Sequence, residues 1–239
     1  MEEMKTAVVT GASSGIGYQV AKMLLHEGYF VYGIGRDFSK VKEEIEKEER
    51  FHSVQLDLLK TDEITAFITA IKLKQKISIL VNAAGVAYYG PFEDIKVSEM
   101  SEMVNTNLLA PMVISKLLMK DIKESKGWII NISSVTAEMR SNTHGVSYGA
   151  TKAGLTSFSR SLFSEVRKYG VRVVNVEPDL TDTELYRNAD FKTSDVFDER
   201  LLASDVAECV KHVINMRDGV VVTDITLRPQ KNKIVRKNR

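Results

Sequence analysis

Cysteine is nearly absent: Cys209 is the only one in 239 residues. A lone thiol forms no intrachain disulfide and builds no cysteine metal cluster. The four histidines, His26, His52, His144 and His212, are scattered without metal-ligand spacing, so no metal is expected. Excess charge is lacking too. Lys and Arg number 33 against 32 Asp and Glu, a formal net charge of +1, which removes bulk basicity as a reason to expect a nucleic-acid partner. No stretch approaches the roughly 20 apolar residues of a membrane span. The opening MEEMKTAVVT carries acids where a secretion signal carries basic residues. A soluble cytoplasmic protein with no membrane partner is therefore expected. Only four prolines occur, none of them inside an expected strand, as a buried parallel sheet requires.

What is present is globular composition, 44% hydrophobic and 27% charged. Short β-branched runs alternate with longer helical stretches. Strands are expected at Thr6 to Thr10, Phe30 to Gly35, Ser53 to Leu58, Ile77 to Gly85, Gly127 to Ser134, Val171 to Pro178 and Gly219 to Leu227. Helices are expected at Tyr18 to Glu27, Val41 to Arg50, from near Thr61, at Val97 to about Lys123, Val146 to Lys168 and Ser204 to Met216. This alternation implies βαβ units: a single-domain α/β Rossmann fold, with a seven-stranded parallel sheet and helices on both faces. The near-continuous Val/Ile/Leu runs suit strands covered on both sides. One domain over residues 1–230 is expected, then a basic tail over 231–239 that frays. The run Lys40 to Arg50 reads as a solvated helix face.

Gly11, Gly15 and Gly17 lie between the first strand and first helix. Glycines there let the chain turn tightly and let a pyrophosphate approach the helix start, whose N–H groups and dipole favour anions. The same spacing also fits a turn without a ligand. At the end of the second strand, where NAD sites carry an acid for the ribose hydroxyls, the chain reads Gly35-Arg36. A guanidinium suits a 2′-phosphate and favours NADP(H), although a solvated arginine next to Asp37 fits as well.

Tyr148 and Lys152 stand four residues apart, on one face of a helix. An ammonium beside a phenol lowers its pKa and makes it a proton donor and acceptor for alcohol–carbonyl exchange. Ser133 and Ser134 end the fifth strand, at the carboxyl edge where open α/β sheets bind ligands. From position alone either could be the functional hydroxyl. Asn107, inside an otherwise apolar helix, needs partners for its amide. It either bends the helix or holds a water.

Together these residues resemble the short-chain dehydrogenase/reductase family, in its NADP-preferring type, over nearly the whole chain. Thr10-Gly11-Ala12-Ser13-Ser14-Gly15-Ile16-Gly17 is similar to its cofactor motif, and Asn82-Ala83-Ala84-Gly85 to its Asn-Asn-Ala-Gly motif. The resemblance implies a catalytic tetrad of Asn107, Ser134, Tyr148 and Lys152. In it Tyr148 is the acid/base, Lys152 lowers its pKa and binds the nicotinamide ribose, Ser134 orients the carbonyl, and Asn107 supports a relay water. It further implies cofactor contacts from the turn (Gly11, Ser13, Ser14, Gly15, Ile16, Gly17), from Arg36, from Asp57 and Leu58, and from Asn82, Ala83, Ala84 and Gly85. Pro178, Thr181 and Thr183, with Tyr148 and Lys152, complete that set.

The function implied is an NADP-dependent oxidoreductase moving a hydride between nicotinamide and a small-molecule carbonyl or secondary alcohol, in a homodimer or homotetramer. The alternative is a catalytically silent NADP-binding regulator of the same fold. The chain departs from the family pattern in three places. The Ser134-to-Tyr148 interval is one residue longer than usual. Pro178-Asp179 replaces Pro-Gly, with a side chain able to crowd the nicotinamide side, while Thr183 still resembles the family's carboxamide contact. The ending TDITLRPQKNKIVRKNR lacks a glycine-rich close. The segment Glu184 to Arg200 stands where the family carries a substrate lid, with Tyr186, Phe191 and Phe197 as apolar anchors. Glu138, Met139, Arg140 and His144 are further candidates for lining the substrate side.

Overall fold

The computed structural model describes residues 5–39, 41, 45, 47–139 and 141–237. Four residues of the helix expected over 41–50, namely 42–44 and 46, lie outside these residues, as does Arg140. The strands are β1 Thr6–Thr10, β2 Phe30–Gly35, β3 Phe51–Gln55, β4 Ile77–Asn82, β5 Trp128–Ile132, β6 Arg172–Pro178, β7 Thr181–Asp182, β8 Phe191–Thr193, β9 Leu201–Leu202, β10 Asp224–Leu227 and β11 Ile234–Arg236. Seven form one parallel sheet in the order β10-β6-β5-β4-β1-β2-β3. The order reverses between β1 and β4, which opens a crevice at their carboxyl ends.

The α-helices among the described residues are α1 Gly15–His26, α2 Thr61–Lys72, α3 Val97–Val104, α4 Ala110–Ser125, α5 Val146–Val166 and α6 Ala203–Ile214. Alternation along β1 assigns its residues to two cores. Ala7 and Val9 join Val20, Leu24, Val206 and Val210 under α1 and α6. Val8 joins Ile64, Ile68, Ile114 and Leu118 under α2 and α4. Both faces of the sheet are thus dry, which is why its strands read as continuous apolar runs.

The long helix expected from Val97 is continuous but not regular. A π-helical turn, Asn105–Leu109, joins α3 to α4. Pro111 sits in the first turn of α4 and has no N–H for the carbonyl of Asn107, four residues back. Asn107 thus lies in an irregular turn whose departure from the α pattern its neighbours share.

Several boundaries differ from expectation. β3 starts at Phe51 rather than Ser53, because Phe51 pairs with Val31 and packs against Phe38, ring centroids 6.3 Å apart. It ends at Gln55, so Leu56 to Leu58 form a loop at the crevice. β4 stops at Asn82, where the N–H groups of Ala83 and Ala84 turn to Thr10 Oγ1 at 3.1 and 3.2 Å. β10 begins only at Asp224, opposite Asn175. The tail does not fray within the described residues: Ile234–Arg236 pairs antiparallel with Phe191–Thr193.

Candidate active site

A cavity of about 460 Å³ lies along the carboxyl edge of the sheet. One end is the glycine turn. Gly11 has φ +71°, and a Cβ on it would lie 2.8 Å from the backbone of Ala84. A Cβ on Gly17 would collide with the Gly11 carbonyl. Gly17 therefore packs the turn from beneath, while Gly11, Ser13, Ser14, Gly15 and Ile16 line the cavity. Ser14 precedes α1 without capping it through its side chain, so its hydroxyl is not committed to the helix end. This cradle of close backbone and a helix N-terminus fits a pyrophosphate.

Arg36, Asp57 and Leu58 line the flank near β2 and β3. The Arg36 side chain is 56% exposed and donates from Nη1 to Glu102 Oε1 at 3.4 Å. Glu102 also accepts from the Tyr88 hydroxyl at 2.7 Å. An anion at Arg36 therefore competes with one long, solvent-screened ion pair, a small obstacle. Ala83, Ala84 and Gly85 form the wall opposite. Asn82 lies below the cavity. Its Nδ2 donates to Asn131 Oδ1 at 2.7 Å, and Asn131 donates to Ser159 at 2.8 Å. The ladder ties β4, β5 and α5 together. Asn82 Oδ1 is buried without a hydrogen-bond partner.

The far end gathers Ser134, Tyr148 and Lys152. Tyr148 and Lys152 occupy the first two turns of α5 and are 3% and 4% exposed. Lys152 Nζ is 5.8 Å from the Tyr148 ring centroid and donates to the Ile132 carbonyl at 2.8 Å. Burial pushes the Tyr148 phenol up to about 12, against a hydrogen bond from Ser134 that lowers it. Burial pushes the Lys152 amine down to about 8. In the chain alone, then, desolvation outweighs the Ser134 contribution and the phenol is held protonated at neutral pH.

The two serines separate clearly. Ser133 Oγ donates to the Lys152 carbonyl at 3.0 Å and contacts Thr156 Oγ1 at 2.9 Å, a helix–strand tie. Ser134 Oγ faces Tyr148 and accepts from the Thr136 N–H at 3.2 Å. Asn107 is fully buried but does not line the cavity. Its amide exchanges hydrogen bonds with the Val86 N–H and C=O at 2.9 and 2.8 Å and donates to Thr151 at 3.1 Å. It locks the π turn to the strand loop and to α5.

Pro178, Thr181 and Thr183 border the cavity, with Asp179 between them. The Asp179 carboxylate accepts from Arg228 and Asn232 on Oδ2 at 3.0 and 3.1 Å and from the Leu180 N–H on Oδ1 at 2.8 Å. Glu184 to Arg187 add a short 3₁₀ turn along the rim. Above Tyr148 stand Tyr89, Tyr186 and Phe191. The Tyr89 ring is 5.6 Å from Tyr148, 6.2 Å from Tyr186 and 5.1 Å from Phe191. Burial raises the hydroxyl pKa of both Tyr89 and Tyr186, so they stay neutral.

Ile34, Leu56, Val86, Thr106 and Ile132 line the cavity without having been expected to. Ile34 and Ile132 could have been found as residues near the carboxyl ends of their strands. Thr106 depends on the π turn and has no local signal. Glu138 instead pairs with Arg160 at 2.8 Å, while Met139 and His144 border a separate surface depression with Phe92. Among the described residues no cluster of side chains could hold a metal, and no helix is long and apolar enough to cross a membrane.

Comparison with known proteins gives concordant results. A family model described as short chain dehydrogenase matches residues 5–193. An uncharacterized oxidoreductase of Staphylococcus epidermidis is 32% identical over 228 residues, covering 94% of this chain and 97% of that protein. Among solved structures, a metagenomic short-chain oxidoreductase in complex with NADP superposes with a TM-score of 0.80 at 29% identity, covering 95% of this chain and 97% of that one. A 4-hydroxyisoleucine dehydrogenase mutant complexed with NADH and succinate gives a TM-score of 0.83 at 25% identity, covering 95% and 100%.

Proposed function

The chain belongs to the short-chain dehydrogenase family, and on that premise we propose that it is an NADP-dependent oxidoreductase interconverting a small-molecule carbonyl and a secondary alcohol. The observation that carries this reading is the gathering of Ser134, Tyr148 and Lys152 at one end of the cavity whose other end is the glycine turn. A bound nicotinamide dinucleotide would supply or accept the hydride. Everything else falls to this chain. The turn from Gly11 to Ile16 and the α1 N-terminus hold the pyrophosphate. Asp57 and Leu58 flank the adenine, and Arg36 meets the 2′-phosphate in place of Glu102. The backbone from Asn82 to Gly85, with Pro178, Thr181 and Thr183, positions the nicotinamide half. NADH-bound and NADP-bound structures both resemble the chain, so the preference for NADP rests on Arg36 and on the lack of an acid at Gly35.

Tyr148 gives its proton to the carbonyl oxygen in reduction and takes it back in oxidation. A phenol held at about 12 is fully protonated at neutral pH, which favours the reducing direction. Ser134 Oγ, which faces the phenol across the same end of the cavity, is placed to hold the same substrate oxygen. Lys152 supplies positive charge beneath the phenol and a donor toward the ribose. Asn107 acts through backbone geometry: its π turn leaves its own carbonyl without the N–H of Pro111, an acceptor suited to a relay water.

Tyr148→Phe tests the reading. With NADPH oxidation followed against a panel of aldehydes and ketones, turnover is expected to fall roughly 100- to 10,000-fold, while NADPH binding by fluorescence is retained. Unchanged turnover refutes the assignment of the acid/base. NADPH binding by the unaltered chain with no turnover across the panel supports the silent regulator instead.

A further inference from the structure

The segment after β10 folds back over the substrate side of the cavity, and three sets of bonds fasten it there. At its start, Arg228 and Asn232 donate to Asp179 Oδ2, on a carboxylate only 8% exposed. In the middle, the Lys231 N–H donates to the Asp198 carbonyl at 2.8 Å and its ammonium pairs with the Asp198 carboxylate at 2.9 Å. At its end, β11 pairs with β8, with Val235 opposite Lys192. Lys237 closes the ladder, donating from its N–H to Asp190 and from Nζ to the Tyr186 carbonyl at 2.7 Å.

What this segment holds is the aromatic wall above Tyr148. Phe191 is the first residue of β8, and Tyr186 lies within the 3₁₀ turn Glu184–Asn188 whose carbonyls Lys237 binds. Their rings are 5.3 Å apart and both pack on Tyr89, which packs on Tyr148. Among the described residues β8 has no ladder partner except β11. A three-residue ribbon is unstable unless it is packed and tied, so each strand depends on the other and on the flanking lysines.

We propose that residues 228–237 are a strap that holds the Tyr186–Phe191 wall against Tyr89, and that Lys237 is a positioning residue for the substrate. The substrate role rests on the reductase reading; the holding role does not. Tyr186 is the member of this aromatic cluster that lines the cavity beside Tyr148, so the group it positions is the apolar, ring-bearing side of a carbonyl compound.

The test compares the full chain, the Lys237→Ala variant and a chain lacking residues 233–239. Backbone hydrogen exchange is followed over 184–193, with β1, β4 and β5 as internal reference. Exchange over 184–193 is expected to speed up roughly ten- to a hundredfold in Lys237→Ala, the factor that losing hydrogen bonds to a charged group represents. The reference strands should not change. With benzaldehyde-type probes KM is expected to rise by a similar factor, while kcat and NADPH affinity stay near their starting values. Acetaldehyde-type probes, too small to touch the wall, should keep their KM. Unchanged exchange over 184–193, or faster exchange with unchanged KM for the ring-bearing probe, overturns the proposal. Faster exchange in a protein that turns over no carbonyl sustains the holding role and removes the reductase reading. If the shortened chain does not fold, Lys237→Ala still decides.

Discussion

Replacing Lys152 with methionine should stabilise the folded chain at neutral pH while removing turnover. The amine is 4% exposed, and burial pushes its pKa from 10.5 down to about 8. At roughly 1.4 kcal/mol per pH unit, keeping it protonated inside the fold at pH 7 costs about 3 kcal/mol. Its hydrogen bond to the Ile132 carbonyl, 2.8 Å long, offsets about 1 kcal/mol when lost. A methionine of similar reach fills the same space, so the net gain is about 2 kcal/mol. The sign of the pH dependence follows from linkage. The folded pKa lies below the unfolded one, so the unfolded chain binds this proton more tightly. The unaltered protein therefore gains stability as pH rises from 8 toward 10.5, and its deficit against the variant shrinks by about 2 kcal/mol between pH 7 and about pH 9.5. Urea unfolding of both proteins at these two pH values measures the gap, and subtraction cancels the tyrosines they share. A gap that does not change with pH, or a variant less stable at pH 7, refutes the claim that burial controls this amine. Destabilisation of this kind belongs to a site kept for chemistry rather than for stability.

The two adjacent serines should behave oppositely. Ser134→Ala removes the hydrogen bond that opposes burial at Tyr148, so turnover is expected to fall roughly ten- to a hundredfold, and the alkaline limb of its pH profile should move upward. Ser133→Ala leaves Thr156 and the Lys152 carbonyl short of a partner and should instead lower unfolding free energy by about 1–3 kcal/mol without moving that limb. Identical pH profiles for the two variants would count against Ser134. Arg36→Asp is expected to weaken NADPH binding at least roughly tenfold, the loss of a charge-assisted pair, and to leave NADH binding little changed; titration with both cofactors measures this, and equal loss for both removes the 2′-phosphate role.

The sheet was legible because its strands are buried on both faces and its helices carry the matching stripe, so local pattern and global fold agree. Every strand of the seven, and the helix that carries Tyr148 and Lys152, stands within a few residues of where periodicity puts it. Boundaries slipped where a tertiary contact decided them, as with Phe51 reaching back to Val31 and Phe38. The motif residues came together at one cavity, but three of them support it from below. Gly17, Asn82 and Asn107 do not line it; they sit in the turn, the amide ladder and the π turn. Sequence spacing cannot separate those roles, because a residue that shapes a site and one that touches it recur at the same positions.

The aromatic wall and its strap were not legible. β8 and β11 are three residues each, too short to show a period, and they pair across about forty residues of chain. Nothing local marks Val235 as a strand residue inside a run of lysines and arginines. Yet the departures from the family pattern foreshadow them. An aspartate stands where the family has glycine, and the ending is basic where the family's is rich in glycine. The structure makes these two departures one: Asp179 is the acceptor for Arg228 and Asn232. A charge introduced beside the cavity and the complementary charges that follow β10 answer each other. Reading either alone suggests a crowded site or a frayed tail; their pairing accounts for the two together.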